Sequence, residues 1–383
     1  MKVAIVGGGT MGLAAAWALA RRGCAVEVFE RFGHVHGHGS HGGHTRIIRH
    51  AYHEGSDYVD LVSRSDREWT ALAERSGTRL LVRCGLLEFG PADEPAFAAA
   101  RGALREHQIA HELLDGDRAS ERFGFRIPSE WSACFSPDSG YLRVGPCLDA
   151  LRREAEDAGA RLHYGVRVRE LILGGERPRI LVDDGRVIAA DRMVVTAGAW
   201  APGLLGSSLG IRPTVLRRVL AWTRPDSEPV RAALRALPAW AAFVPEGFFY
   251  GFPDNDEGVS GFKLACHGSD DPEANRAVDP ETVDREVHEH DLAPLRRFLA
   301  NYRPDAGPFI ASSVCLYTNT GSGDFWIDHH PEDQRCVVAA GFSGHGFKFA
   351  PAIGISIAEL VCDGHSELVL PRFRRTSHLL RTH

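Results

Sequence analysis

The chain opens on an apolar run, Val3-Ala4-Ile5-Val6, too short for a helix and bounded by glycine, which predicts a buried strand. A turn, Gly7-Gly8-Gly9-Thr10-Met11-Gly12, follows. Residues 12–20 are small and apolar on every side, predicting a buried helix that ends near Gly23. Ala25 to Glu30 predicts a second strand, and a loop rich in Gly and His runs from Gly33 to His44. Val59, Leu61, Val62, Trp69 and Leu72 then recur at helical spacing over 58–76. Residues 83–144 mix short apolar runs with charged stretches. Gly145-Pro146 opens a helix through Leu148, Leu151 and Ala155, and a strand follows at 161–164. Val194-Val195-Thr196 predicts a buried strand entering a glycine turn, and strands and loops alternate to about 260. The strand Cys336 to Ala340 runs into a second glycine-rich turn, 341–346, and a helix through Ile353, Ile355 and Leu360.

Strands alternating with helices at both ends predict an α/β fold with a Rossmann-like nucleotide-binding domain. The irregular middle predicts a second, inserted domain. The expected segments are 1–82, 145–213 and 308–383 for the first domain, and 83–144 and 214–307 for the second. Gly7-x-Gly9-x-x-Gly12, with a strand before it and a helix after it, predicts a dinucleotide cradle. Glycine permits the tight turn and close approach of a pyrophosphate, whose charge the helix N-terminus stabilises. Glu30 ends the second strand, where an acid accepts a ribose hydroxyl and disfavours a 2′-phosphate. NADP is thereby disfavoured, while FAD and NAD both remain open.

Composition narrows the partners. The chain has 383 residues and a formal net charge of -6, which gives no general attraction to nucleic acid or anionic membranes. No apolar run reaches the ~18 residues of a membrane span, and residues 1–6 enter a strand pattern at once, so a cytoplasmic chain is expected. None of the eight cysteines forms a C-x-x-C pair, and their default role is as small buried apolar residues. The loop histidines His34, His36, His38, His41 and His44 alternate with glycine without an interleaved Cys or acid, so no metal site is predicted. Of 44 Lys plus Arg only Lys2, Lys263 and Lys348 are lysines. Lysine is a compact charge whose pKa shifts readily, so the two internal lysines stand out from an arginine-rich surface. Arg46 and Arg49 flank Ile47-Ile48 and need partners in a partly buried stretch, either a salt bridge or a bound carboxylate.

Ser40-His41-Gly42-Gly43-His44, continuing as Thr45-Arg46-Ile47-Ile48-Arg49-His50-Ala51-Tyr52, resembles the flavin loop of the sarcosine oxidase and N-methyl amino acid oxidase family. The block from Gly341 to Phe349 is similar too, as are Cys315-Leu316-Tyr317-Thr318, the block 249–253 and the block 263–267. These blocks keep the family's order across nearly the whole chain. The resemblance implies that the inserted segments form an α+β substrate domain with a mixed sheet, and that the chain is an FAD-dependent oxidase of a small secondary amino acid, working as a monomer. A hydride equivalent passes to flavin and then to O2, giving an imine or aldehyde product and H2O2. It implies a covalent bond from Cys315 to the flavin 8α-methyl. Arg49 and Lys348 would grip the substrate carboxylate. Lys263 would serve oxygen beside the flavin, with Arg46 next to the ring. Tyr250, His267, Tyr317 and Gly344 would line the substrate cavity, with Tyr250 and His267 also catalytic. Ser40, Thr45, Arg46, Val168, Gly346 and Lys348 would join Gly7, Gly9, Gly12 and Glu30 in holding the cofactor.

The family loop carries an acid at His44 and a second histidine at Gly42, and by register from Pro245 a methionine stands at Ala241. A smaller residue there suits a bulkier N-methyl or cyclic substrate of N-methyltryptophan, pipecolate or proline type. A flavin dehydrogenase with another electron acceptor, an NAD-dependent dehydrogenase and a non-catalytic sensor are the remaining alternatives.

Overall fold

The structure is a computed structural model and describes residues 1–383 except 51, 53, 54, 56, 207, 208 and 381–383, so Ala51 of the flavin-loop motif lies outside the described residues. Among the described residues the strands form four sheets, one of six strands, one of eight and two of three. The six-stranded sheet runs in the order Trp326–His330, Asp333–Ala340, Arg192–Val195, Lys2–Val6, Ala25–Glu30, Arg161–Tyr164. Its strands pair in parallel except the 326–330/333–340 hairpin. Parallel strands need covered faces. One cover is the helix Thr10–Arg21, whose Met11 to Ala20 are all buried, as its all-round apolar pattern predicts. It packs on the helix Ala350–Asp363 so closely that a Cβ on Gly354 would lie 2.4 Å from the Ala14 carbonyl oxygen. N-terminal and C-terminal segments thus share one core.

The eight-stranded sheet is mixed and runs Phe309–Asn319, Thr214–Thr223, Gly261–Gly268, Gly247–Asn255, Ala239–Val244, Leu86–Gly90, Ser132–Ser136, Glu112–Asp115. Side chains alternate between faces, and directly paired residues share one. One face carries Leu87, Phe89, Trp240, Phe249, Phe262 and Leu264, which pack on Leu295 and Phe298 of the helix Glu289–Tyr302. The other face carries several of the residues singled out in the sequence. Glu88 pairs with Ala241, Ala241 with Tyr250, Tyr250 with Ala265, and Ala265 with Leu220. Lys263 and His267 flank Ala265 at two-residue steps, and Cys315 and Tyr317 continue the face on the neighbouring strand opposite Arg218 and Leu216.

Phe309–Asn319, which follows the boundary expected at 308, hydrogen-bonds along Thr214–Thr223 of the eight-stranded sheet. The three-stranded sheet of Thr45–Ile48, Gly140–Arg143 and Leu81–Val82 ties the residues after the flavin loop to both edges of the first inserted segment.

Candidate active site

Gly7 and Gly9 form the turn between the first strand and the helix, and Gly12 lies in the first turn of that helix. Gly7 sits at φ 97°, and a Cβ on Gly12 would lie 1.9 Å from the Gly7 carbonyl oxygen. Glu30 closes the turn from the second strand. Its Oε2 accepts the Gly8 N–H at 2.7 Å and its Oε1 the Phe32 N–H at 2.8 Å. Burial opposes ionisation of Glu30, but hydrogen bonds from His36, Phe32 and Gly8 outweigh it and hold the carboxyl below its ordinary range. The carboxylate is therefore ionised, with lone pairs left for a ribose hydroxyl.

A cavity of about 940 Å³ starts at this turn and reaches the glycine turn before the C-terminal helix. Gly7, Gly9, Glu30, Ser40, Arg46, Val168, Tyr317, Gly344 and Gly346 all line it. Its size, the glycine cradle and the acid at the second strand fit a dinucleotide. One orphaned donor adds to the fit. His41 is buried over Gly9, and its Nε2 has no hydrogen-bond partner among the described residues. Burial, then His36 and Arg46, push its pKa down to about 3, so the ring is neutral and able to donate to an anionic oxygen.

The flavin loop lies against the face of the eight-stranded sheet that carries Lys263 and Tyr250. Lys263 is buried, and its Nζ donates to the Gly43 carbonyl at 2.5 Å and to the carbonyl and Oγ1 of Thr45 at 3.1 Å each. Burial, then the Arg46 charge, holds its pKa well below the ordinary lysine value. Gly43, at φ 83°, keeps the loop within reach, since a Cβ there would meet Leu220 at 2.3 Å and the Lys263 Nζ at 3.2 Å. Arg46 donates to the carbonyls of Thr45, Ser40 and Gly42 and holds the loop closed on itself. Cys315 is buried beneath it, Sγ 3.5 Å from the Ser40 carbonyl oxygen and 3.9 Å from Arg46 Nη2. Burial raises the Cys315 pKa, while Arg46 and Lys263 oppose the rise.

Beyond this loop, Tyr317 links two partners. Its hydroxyl lies 3.4 Å from that of Tyr250 and 3.4 Å from His267 Nδ1. Gly344, at φ 77°, packs on the Tyr317 ring, which an added Cβ would meet at 2.3 Å. Lys348 is buried in the short helical turn Phe347–Phe349, and this turn intervenes between the glycine turn and the C-terminal helix. Its Nζ donates to the Tyr52 hydroxyl at 2.9 Å and to the His345 carbonyl at 3.0 Å. The Arg49 guanidinium stacks 5.0 Å from the centre of the Tyr52 ring, with Nη1 3.2 Å from Glu88 Oε1.

Most of the residues singled out in the sequence thus gather in two contiguous groups. Arg49, Lys348, Lys263, Tyr250, His267, Cys315, Thr45 and Gly12 are not part of the cavity lining among the described residues. Three neighbours carried no role in the sequence reading: Tyr52 between the two cations, His345 against Tyr52 at 3.1 Å, and Glu88 on Arg49. Tyr52 ends the flavin-loop motif. Glu88 had one visible signal, an acid inside the otherwise apolar strand Leu86–Gly90.

The chain matches the family model described as FAD dependent oxidoreductase over residues 2–360. It is 37% identical over 371 residues to a monomeric sarcosine oxidase of Bacillus sp. (strain B-0618), covering 95% of this chain and 93% of that one. An N-methyl-L-tryptophan oxidase of Yersinia pestis (strain Pestoides F) is 31% identical, with 96% and 97% covered. Among solved structures it is similar to NikD, an unusual amino acid oxidase essential for nikkomycin biosynthesis, at a TM-score of 0.82 and 27% identity over 97% of this chain and 96% of that one. Family model, relatives and fold agree with the cradle and cavity, and the chain belongs to the FAD dependent oxidoreductase family, in which its relatives include monomeric sarcosine oxidase and N-methyl-L-tryptophan oxidase.

Proposed function

We propose that this chain oxidises a secondary α-amino acid with O2, acting as a cytoplasmic monomer with FAD bound covalently through Cys315. The observation that carries this reading is the pairing of two buried cations, Arg49 and Lys348, around the single Tyr52 ring. Two such cations suit one carboxylate, fixing both affinity and orientation. FAD in the cavity would supply the acceptor for a hydride equivalent from a carbon next to nitrogen and the electrons that reduce O2 to H2O2. Tyr250, Tyr317 and His267 form a hydrogen-bonded row on the same sheet face and border the space where the amine would lie. Lys263, fixed by three acceptors on the flavin loop, supplies a cation that favours charge developing on oxygen. The Cys315 thiol beneath Ser40 and beside Arg46 supports the thioether. The domain reading that accompanies this is a cofactor-binding domain of 1–82, 145–213 and 308–383 and a substrate domain of 83–144 and 214–307, with the strand Phe309–Asn319 paired along Thr214–Thr223.

One observation favours a substrate larger than sarcosine. Ala241, buried beside Tyr250 and Glu88 in one row of the sheet, is a smaller side chain than the methionine the resemblance implies at that position. The test is an anaerobic panel, from sarcosine through proline and pipecolate to N-methyl aromatic amino acids, read as bleaching of the flavin band. Bleaching followed by peroxide on admitting air is the expected result. No bleaching by any secondary amino acid would overturn the proposal.

A further inference from the structure

The helices Thr10–Arg21 and Ala350–Asp363 pack on one another, and each follows one of the two glycine turns that line the cavity. Two cysteines stand at their other ends. Cys24 lies two residues beyond the C-cap Arg22, and Cys362 is the penultimate residue of the second helix. They are 338 positions apart in the chain, yet their Sγ atoms are 3.8 Å apart, close enough for one thiol to donate to the other. The backbone on both sides is held. The Cys24 N–H donates to the Leu19 carbonyl at 3.2 Å, and the Gly364 N–H to the Leu360 carbonyl at 3.1 Å. Beside the thiols, Arg22 Nη2 donates to both carboxylate oxygens of Asp363, at 2.7 and 2.8 Å. The same two segments are therefore joined by an ion pair as well as by the thiol contact.

Cys147 and Cys336 are fully buried and fit the default role of small apolar residues. Cys24 and Cys362 differ from them in two ways. Each faces a second thiol, and Cys362 is only partly buried, so the pair meets solvent. A disulfide needs its sulfurs about 2.05 Å apart, and modest rotation about the two Cα–Cβ bonds closes a gap of this size. We propose that Cys24 and Cys362 form an oxidisable dithiol, a modification site at which H2O2 closes a disulfide between the C-terminal ends of the two helices. One thiol takes an oxygen from H2O2, giving a sulfenic acid and water. The second thiol then attacks that sulfur, forming the S–S bond and releasing a second water. Two thiols are thereby oxidised and one H2O2 is reduced. The oxidant is the product of the reaction proposed above. Burial and Cys24 push the Cys362 thiol up to about 11, so little thiolate is present at neutral pH and closure is slow against turnover. The bond would restrict the unfolded chain over almost its whole length and so stabilise the folded one.

The experiment treats the holoenzyme and its Cys24→Ser and Cys362→Ser variants with added H2O2, so its outcome does not depend on the substrate reading. Remaining thiols are blocked with an alkylating agent, and the digested chain is mapped by mass spectrometry without reduction. The unaltered chain should yield a peptide pair joined through Cys24 and Cys362. Its melting temperature should rise by about 5 °C or more and return on adding dithiothreitol. Both variants, and Cys24→Ala and Cys362→Ala beside them, should show neither the joined pair nor the rise. Both thiols recovered alkylated, or oxidised singly to sulfinic acid, would overturn the proposal. A rise of the same size in the variants would also overturn it, because another oxidation would then be its cause.

Discussion

Gly9 and Gly12 belong to one motif, yet the structure gives them different work, and two alanine substitutions separate it. A methyl on Gly12 would lie 1.9 Å from the Gly7 carbonyl oxygen and 2.9 Å from Thr196 Oγ1. The first distance is more than an ångström inside van der Waals contact and involves backbone, so the helix N-terminus must move off the strand. Overpacking of this kind costs about 1–3 kcal/mol. At about 2–4 °C per kcal/mol for a domain of 150–250 residues, the melting temperature should fall by roughly 5 °C. A methyl on Gly9 meets only the His41 ring, at 3.8 Å, which is ordinary contact. The backbone there, φ -73° and ψ -163°, suits alanine. Gly9→Ala should therefore leave the protein's own packing intact and fill only the place where a pyrophosphate approaches. The assay is flavin per chain as isolated, together with the melting temperature of the flavin-free fraction. Gly9→Ala should carry much less flavin per chain, with the melting temperature of the flavin-free fraction unchanged. Gly12→Ala should lose both. If Gly9→Ala retained a full complement of flavin, the cradle would not be where the dinucleotide binds.

Lys263→Met should slow reoxidation by O2 about 10²–10³-fold, the usual effect of removing one preorganised charge-stabilising group, while anaerobic bleaching by substrate changes little. Burial and Arg46 disfavour the charged form of Lys263, so reoxidation should decline with rising pH at a midpoint below the ordinary lysine value, and equal slowing of both half-reactions would refute the assignment. Cys315→Ser should release its flavin on acid precipitation, whereas the unaltered chain stays yellow; flavin retained by the variant would exclude a Cys315 thioether. His41 has a folded-state pKa of about 3 against an ordinary 6.5, so the unfolded chain binds its proton first. His41 therefore contributes stability above pH 6.5 that is lost as pH falls towards 3, at a limiting slope of about 1.4 kcal/mol per pH unit. His41→Gln should flatten the acid limb of melting temperature against pH, and an unchanged slope would rule this out.

The cofactor half was legible in the sequence because its signals are local. A glycine turn between an apolar strand and an all-apolar helix needs no distant partner to be read, and both strands and the helix lie within a residue or two of expectation. The substrate half was less legible because its arrangement is a property of strand register. Glu88, Ala241, Tyr250, Ala265 and Leu220 come from five strands spread over 178 positions, yet they form one row across the sheet. Nothing within the segment Leu86–Gly90 says which face Glu88 takes, and a slip of one residue would send it into the apolar face against Phe298. The same register matters for the strand after position 308. Phe309–Asn319 reads locally as the start of the C-terminal segment, but Cys315 and Tyr317 reach the flavin loop only because that strand pairs along Thr214–Thr223. Two residues that resemble cofactor and substrate contacts are thus held by the inserted sheet. On the proposed reading, cofactor and substrate chemistry meet on one surface, where Tyr317 touches His267 and Tyr250 on one side and lines the cavity on the other.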